Sequence, residues 1–225
     1  MLAGEYAVVG GHGPALAVAF DARATVRLEP GGDTWRVSSK GLGLEQGPVA
    51  EVPVLAHAVT ALGAALSGGG LLTVTSDLGA GPNKPGFGSS AAVCVAGLAA
   101  LRAHAGLPTP TLTEVVAVHR AAQGGRGSGY DVATALHGGL CAYRNEPAHP
   151  TASSARWLKG LHAAVLFTGR GAKTTDHLVR LHAADGAEPG LSALGEAAEA
   201  LLAAWERGII GGVLESASRA ERALD

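Results

Sequence analysis

A chain of 225 residues, 47% hydrophobic but only 4% aromatic, can bury one large or two small cores, built mainly from Ala, Val and Leu. Its net charge of −2 without a long basic run gives no support to nucleic acid as a partner. No signal-peptide pattern opens the chain and no apolar run reaches the roughly 18 residues of a membrane span, so a soluble cytoplasmic protein is expected.

The first part is rich in β-formers. "YAVV", "PALAVAFDARATVRLEP" and "TWRVSS" read as strands separated by Gly, Pro and Asp turns. Val49 to Leu66 has helical spacing and ends in "SGGG", and "LLTVTSD" reads as a further strand. A glycine-rich loop follows, then a helix from about Ser89 to Ala105. Thr111 to Gln123 reads as another helix, with Thr111 and Glu114 spaced as a capping box.

"GGRGSGYDVATALHGGLCAYR" reads as a glycine loop, a short helix from about Ser128 and a strand. "LHAAVLFTG" reads as a buried strand, and the remainder, from "KTTDHLVRLHAADG" to Asp225, as helical. The order implies an α+β fold, with a boundary near residues 145–160 where "RNEPAHPTASSAR" is polar and Pro-containing. Cys94 and Cys141 sit in apolar runs without CxxC spacing, which predicts buried reduced thiols.

The richest stretch is "GPNKPGFGSSAAVCVAGLAALRAHAG", Gly81 to Gly106. Amides at a helix start lack intrahelical partners and carry partial positive charge. Gly86, Phe87, Gly88, Ser89, Ser90 and Ala91 at such a start would form an anion cradle. Lys84 adds a full charge, and the hydroxyl of Ser89 or Ser90 would hold Mg2+ against a phosphate. The plain alternative is a turn with a serine N-cap. No Gly-Lys-Ser/Thr closes the loop, so it is not a Walker A motif.

"KPGFGSSAA" resembles the second motif of the GHMP kinases. "GEYAVVGGHGPALAVAF" resembles their first motif, and "GSGYDVATALHGG" their segment with an acidic catalytic residue; the three occur in family order. Tyr6, Lys84 and the run Gly127-Ser128-Gly129-Tyr130-Asp131 most resemble phosphomevalonate kinases, with mevalonate kinases next.

The resemblance implies a two-domain fold with mixed β-sheet and helices: an ATP-binding domain over 1–150 and the start of a C-terminal domain over 151–225. It implies an ATP- and Mg2+-dependent phosphotransferase acting on mevalonate 5-phosphate, or on mevalonate, in isoprenoid precursor synthesis. Backbone amides from Gly86 to Ala91 would hold the triphosphate and Ser90 the metal ion. Asp131 would be the catalytic base or orienter, with Lys84 offsetting phosphate charge. Glu5, Tyr6, Ser128, Gly129, His119, Gln123 and Lys173 would meet the substrate, with a buried His119–Gln123 pair as the alternative. Arg120 and Arg126 would pair with substrate anions or remain solvated.

Two departures stand out. The lysine that family members carry shortly before GEY, and the glycine cluster of the third motif, do not appear, so the chain is expected to be shortened at both ends and its C-terminal domain incomplete. That predicts uncovered apolar side chains at Leu191, Leu194, Leu201 and Leu202, and with them a homodimer or lowered stability. A nucleotide-binding relative without activity is the competing expectation.

Overall fold

The computed structural model describes residues 1–4, 6–77, 86–146, 149–165 and 187–223. In chain order its helices and strands are α1 Ala7–Gly10, β1 Ala15–Val18, β2 Ala24–Pro30, β3 Trp35–Ser39, β4 Leu44–Pro48, α2 Pro53–Leu62 and β5 Gly70–Ser76. There follow α3 Ser89–His104, α4 Leu112–Ala122, α5 Tyr130–His137, β6 Leu140–Arg144, β7 Thr151–Ala155, α6 Ala187–Glu206 and α7 Ile210–Arg222. By spatial contact the chain divides into two compact units. One is Phe20–Gly127; the other is Met1–Ala19 with the described residues from Ser128 onward.

In the Phe20–Gly127 unit, a four-stranded mixed sheet has the order β2-β5-β3-β4. Strand β5 runs antiparallel to β2 and parallel to β3. Gly70, Leu72 and Val74 alternate inward along β5, as a half-buried strand requires. Helix α3 packs on β2, and α2 packs on α3 and α4. The expected capping box is present: Thr111 N donates to Glu114 Oε2 at 2.7 Å, and Glu114 N donates to Thr111 Oγ1 at 3.3 Å. Arg102, near the end of α3, pairs with Glu114 and donates from Nε to Pro108 O at 2.6 Å, tying α3 to the start of α4.

In the other unit, β1, β6 and β7 form an antiparallel sheet in that order, with β6 central. Helix α5 packs on these strands, and α6 packs on α1, β1 and α7. Leu16, Leu140, Leu201, Leu202, Trp205 and Val213 form its core. Trp205 donates from Nε1 to Arg156 O at 2.7 Å and meets Trp157 edge-on, ring centroids 5.5 Å apart. Arg144 of β6 pairs with Glu199 of α6, Nη2 to Oε2 at 2.9 Å, which holds the Glu199 carboxyl below its ordinary range.

Several expectations are corrected. "YAVV" is not a strand: Ala7–Gly10 forms one helical turn, with Gly11 left-handed after it. Asn145 Nδ2 donates to Val8 O and Val9 O at 2.8 and 3.0 Å, satisfying carbonyls at the end of that turn. β4 and β7 were not expected, and β7 lies within the polar stretch read as a seam. Residues 161–165 form no strand and are mostly exposed; the rest of that expected strand, and the helix expected from Lys173, lie outside the described residues. Leu201 and Leu202 are buried because α6 lays them against its own unit's core, and Leu194 is buried and Leu191 half-buried as well. Cys94 and Cys141 are buried free thiols, and burial raises the Cys141 pKa.

Candidate functional site

Two helices begin in the same way. Helix α3 starts at Ser89 after Gly88, which has φ 76° and ψ 25°; helix α5 starts at Tyr130 after Gly129, which has φ 91° and ψ −1°. Both glycines are left-handed, where a Cβ would be strained. The N-cap of α3 is therefore Gly88 and not a serine, and no side-chain cap bond closes the helix start. Ser89 and Ser90 occupy its first two positions, half-buried and exposed respectively, and Ala91 is fully buried behind them. The first turn of α3 carries no acidic side chain.

A cavity of about 540 Å³ opens beside this helix start, within the Phe20–Gly127 unit. Leu42, Val52, Val54, Val74 and Val93 give it apolar walls, while Ser39, Lys40, Thr75, Ser76 and Gln123 supply polar groups. Its size falls in the range of small-ligand pockets. Ser89 and Ser90 line the same cavity, so a ligand with an apolar body and an anionic end would meet both surfaces. The residues fit a magnesium nucleotide on this ground: apolar walls for a base, and a helix start with a glycine N-cap and two serines for the phosphates. Mg2+ commonly takes few protein ligands and completes its shell with phosphate and water. Among the described residues no group of three His, Cys, Asp or Glu side chains would hold a metal by itself.

The first turn of α5 has the opposite charge. Asp131 sits there, half-buried, and its Oδ1 accepts from Val132 N at 2.9 Å. A carboxylate at a helix start is stabilised by the same partial charge that would draw a foreign anion. Ser128, just ahead, is buried, and its carbonyl accepts from the buried Tyr143 hydroxyl at 2.7 Å. Strand β6 thus fixes the backbone that leads into Asp131. In the same unit Tyr6 adopts φ 60° and ψ −47° at the N-cap of α1, an unusual conformation for a side-chain-bearing residue.

Helix α4 supplies the remaining candidates. His119 is fully buried in the unit, whereas Gln123 lines the cavity. Arg120 donates from Nε to Gly127 O at 2.8 Å, so its guanidinium holds the glycine loop. A Cβ on Gly127 would stand 1.9 Å from Gln123 Oε1, so a side chain there would require the Gln123 amide to move. Glu5, Lys84 and Lys173 lie outside the described residues.

Sequence reasoning missed three groups. Tyr143 and Asn145 act on residues more than ten positions away, and nothing local marks them. The cavity walls come from five separated segments, and among them only the helix start and Gln123 carried a sequence signal.

Residues 53–139 match the family model described as GHMP kinases N terminal domain. No protein of curated function matches the chain in sequence. Among solved structures, a protein from Listeria innocua is similar with a TM-score of 0.75 at 19% identity, over 99% of this chain and 75% of that one. Streptococcus pneumoniae phosphomevalonate kinase, in complex with phosphomevalonate and AMPPNP, gives 0.74 at 18%, over 99% and 76%. L. major mevalonate kinase in complex with R-mevalonate gives 0.60 at 19%, over 99% and 72%. At these identities the likeness is one of fold: the chain has the α+β GHMP-kinase fold that its motifs implied.

Proposed function

We propose that this chain, with a GHMP kinases N terminal domain over residues 53–139, is an ATP-dependent small-molecule kinase that phosphorylates mevalonate 5-phosphate. GHMP kinases are ATP-dependent phosphotransferases. The observation that carries the proposal is the apolar cavity beside an α3 start with a glycine N-cap and no acid in its first turn.

Phosphoryl transfer asks a protein mainly to hold the nucleotide, spread the charge of the moving group and aim the acceptor in line. The cavity holds the base, and backbone amides from Gly86 to Ala91 face the phosphates. The Ser90 hydroxyl, or that of Ser89, would hold a metal ion bound with ATP, which would offset phosphate charge. Lys84 adds a cation to the same cradle. Asp131 orients the acceptor: its Oδ1 is engaged by Val132 N, which holds the carboxylate in a defined direction. Ser128, Gly129, Tyr6, Glu5, Gln123 and Lys173 are proposed to shape the acceptor side, while His119, fully buried, supports α4 beneath Gln123.

With mevalonate 5-phosphate as acceptor, a phosphate oxygen attacks the γ-phosphorus, the bond to the β-phosphate oxygen breaks, and ADP leaves. An anionic acceptor oxygen requires no proton removal. A hydroxyl acceptor such as mevalonate loses one proton, which Asp131 would take. The proposed domain limits, 1–150 and 151–225, assign the nucleotide residues and Asp131 to one family domain.

Calorimetry with MgATP beside a coupled ADP-release assay tests the proposal. Binding of MgATP and ADP release that depends on mevalonate 5-phosphate are expected. Release with mevalonate alone reassigns the acceptor to a mevalonate kinase. Binding with no turnover on either compound supports an inactive nucleotide-binding relative.

A further inference from the structure

We infer that Phe20 is a positioning residue for the nucleotide loop, holding Gly86–Ser90 in the shape from which α3 receives an anion. The inference rests on the nucleotide reading above and adds a residue from a distant segment of the same unit.

The loop contains two hinges. Gly86 and Gly88 flank Phe87, and a Cβ built on either glycine would have no neighbour within 4 Å among the described residues. Two glycines give this stretch more conformational freedom than any other pair of residues. Between them stands one ring. Phe87 lies against Phe20 with ring centroids 5.3 Å apart and planes tilted by 41°, within the range of favourable aromatic pairs.

Phe20 is well placed to anchor it. It precedes β2, and β2 packs along α3. The ring pair thus extends that packing past the start of α3, to the one side chain between the two hinges. Both rings remain substantially exposed, Phe20 at 47% and Phe87 at 37%. Two large aromatic side chains in water contribute little to a core, so their contact is better suited to setting the loop than to stabilising the fold.

Loss of the Phe20 ring would lower the fraction of molecules whose loop is ready to bind. Apparent affinity falls by that fraction, while the bound state, and hence turnover at saturating ATP, is unchanged.

The test is a calorimetric titration of MgATP into the whole chain and its Phe20→Ala, Phe20→Tyr, Phe87→Ala and doubly alanine-substituted variants. Phe20→Ala is expected to weaken binding by about three- to tenfold, with Phe20→Tyr restoring it. The double variant should be no weaker than the worse single one, since both remove one contact. In the Phe20 single variants, thermal unfolding and kcat should stay at the parent values. Unchanged affinity in Phe20→Ala, or effects of the two substitutions that simply add, would overturn the inference while leaving the nucleotide reading intact. No binding by the unsubstituted chain would overturn both.

Discussion

Helices α3 and α5 start from the same device in different units, and end with opposite electrostatics. Each begins after a left-handed glycine, Gly88 in one case and Gly129 in the other. The second helical position then decides the outcome. In α3 it is Ser90, a neutral hydroxyl beside a cavity; in α5 it is Asp131, whose carboxylate already accepts from the next amide. A helix start that supplies its own anion has less to offer a foreign one, so α3 is suited to hold phosphate and α5 to present a carboxylate. Reading both as generic glycine turns would miss this division.

The comparison can be broken most severely at Asp131. Asp131→Asn keeps the shape of the side chain and removes its charge, and is expected to lower phosphoryl transfer by about 10²-fold through lost orientation of the acceptor, with ATP affinity within a few-fold of the parent. Initial rates beside calorimetry check this. If nucleotide binding vanishes instead, the carboxylate is scaffold and the contrast with α3 has no chemical meaning.

Making α3 resemble α5 gives the next largest effect. Ser90→Asp places a carboxylate at the matching position, where it should weaken ATP binding by at least about tenfold through like-charge repulsion. The helix itself should gain roughly 0.5 kcal/mol from its dipole. Ser90→Ala separates loss of the hydroxyl from arrival of the charge; equal affinities for the two variants would mean that charge at α3 does not matter.

A smaller effect is expected from Tyr143→Phe, which removes the bond to the Ser128 carbonyl, a contribution of about 1 kcal/mol. Turnover should fall roughly fivefold without change in ATP affinity, because the bond steadies the approach to α5 and not α3. A loss of nucleotide affinity alone would contradict that assignment.

The smallest effect concerns stability in the unit that holds α3. Hydrogen bonds from Thr111, led by its backbone amide, depress the Glu114 pKa against an opposing push from burial, with Arg102 adding to the depression. A carboxylate with a folded pKa below its unfolded one stabilises fully above the ordinary glutamate range, and that contribution is lost as pH falls through the depressed value. Glu114→Ala should therefore lower stability near neutrality, by an amount kept small by solvent screening of the half-exposed carboxylate, and by less in acid. Urea denaturation at the two pH values measures it, and a gap that widens on acidification would reverse the sign.

What the sequence disclosed and what it hid follow from where each signal lies. The starts of α3 and α4 were legible because glycine, serine and the Thr111–Glu114 spacing are local. β4 and β7 were not, because each is an edge strand. "LEQGP" and "TASSA" lack a strong alternating pattern, and each is made a strand by pairing with its one neighbour. "YAVV" misled in the other direction: two valines favour a strand, but Asn145, distant in sequence, closes the helical turn. Leu201 and Leu202 of α6 hid their burial for the same reason, since β1, β6 and α7 cover them only after folding.

The three tryptophans of the chain are shared unequally between the units. Trp157 and Trp205 touch edge-on in one, and Trp35 stands in β3 of the other, edge-on to His104 with centroids 6.0 Å apart. Each half of the molecule thus carries its own intrinsic fluorophore. Trp35→Phe silences one half and leaves the other emitting, so optical melting curves can assign loss of order to one unit or to the other without any attached dye.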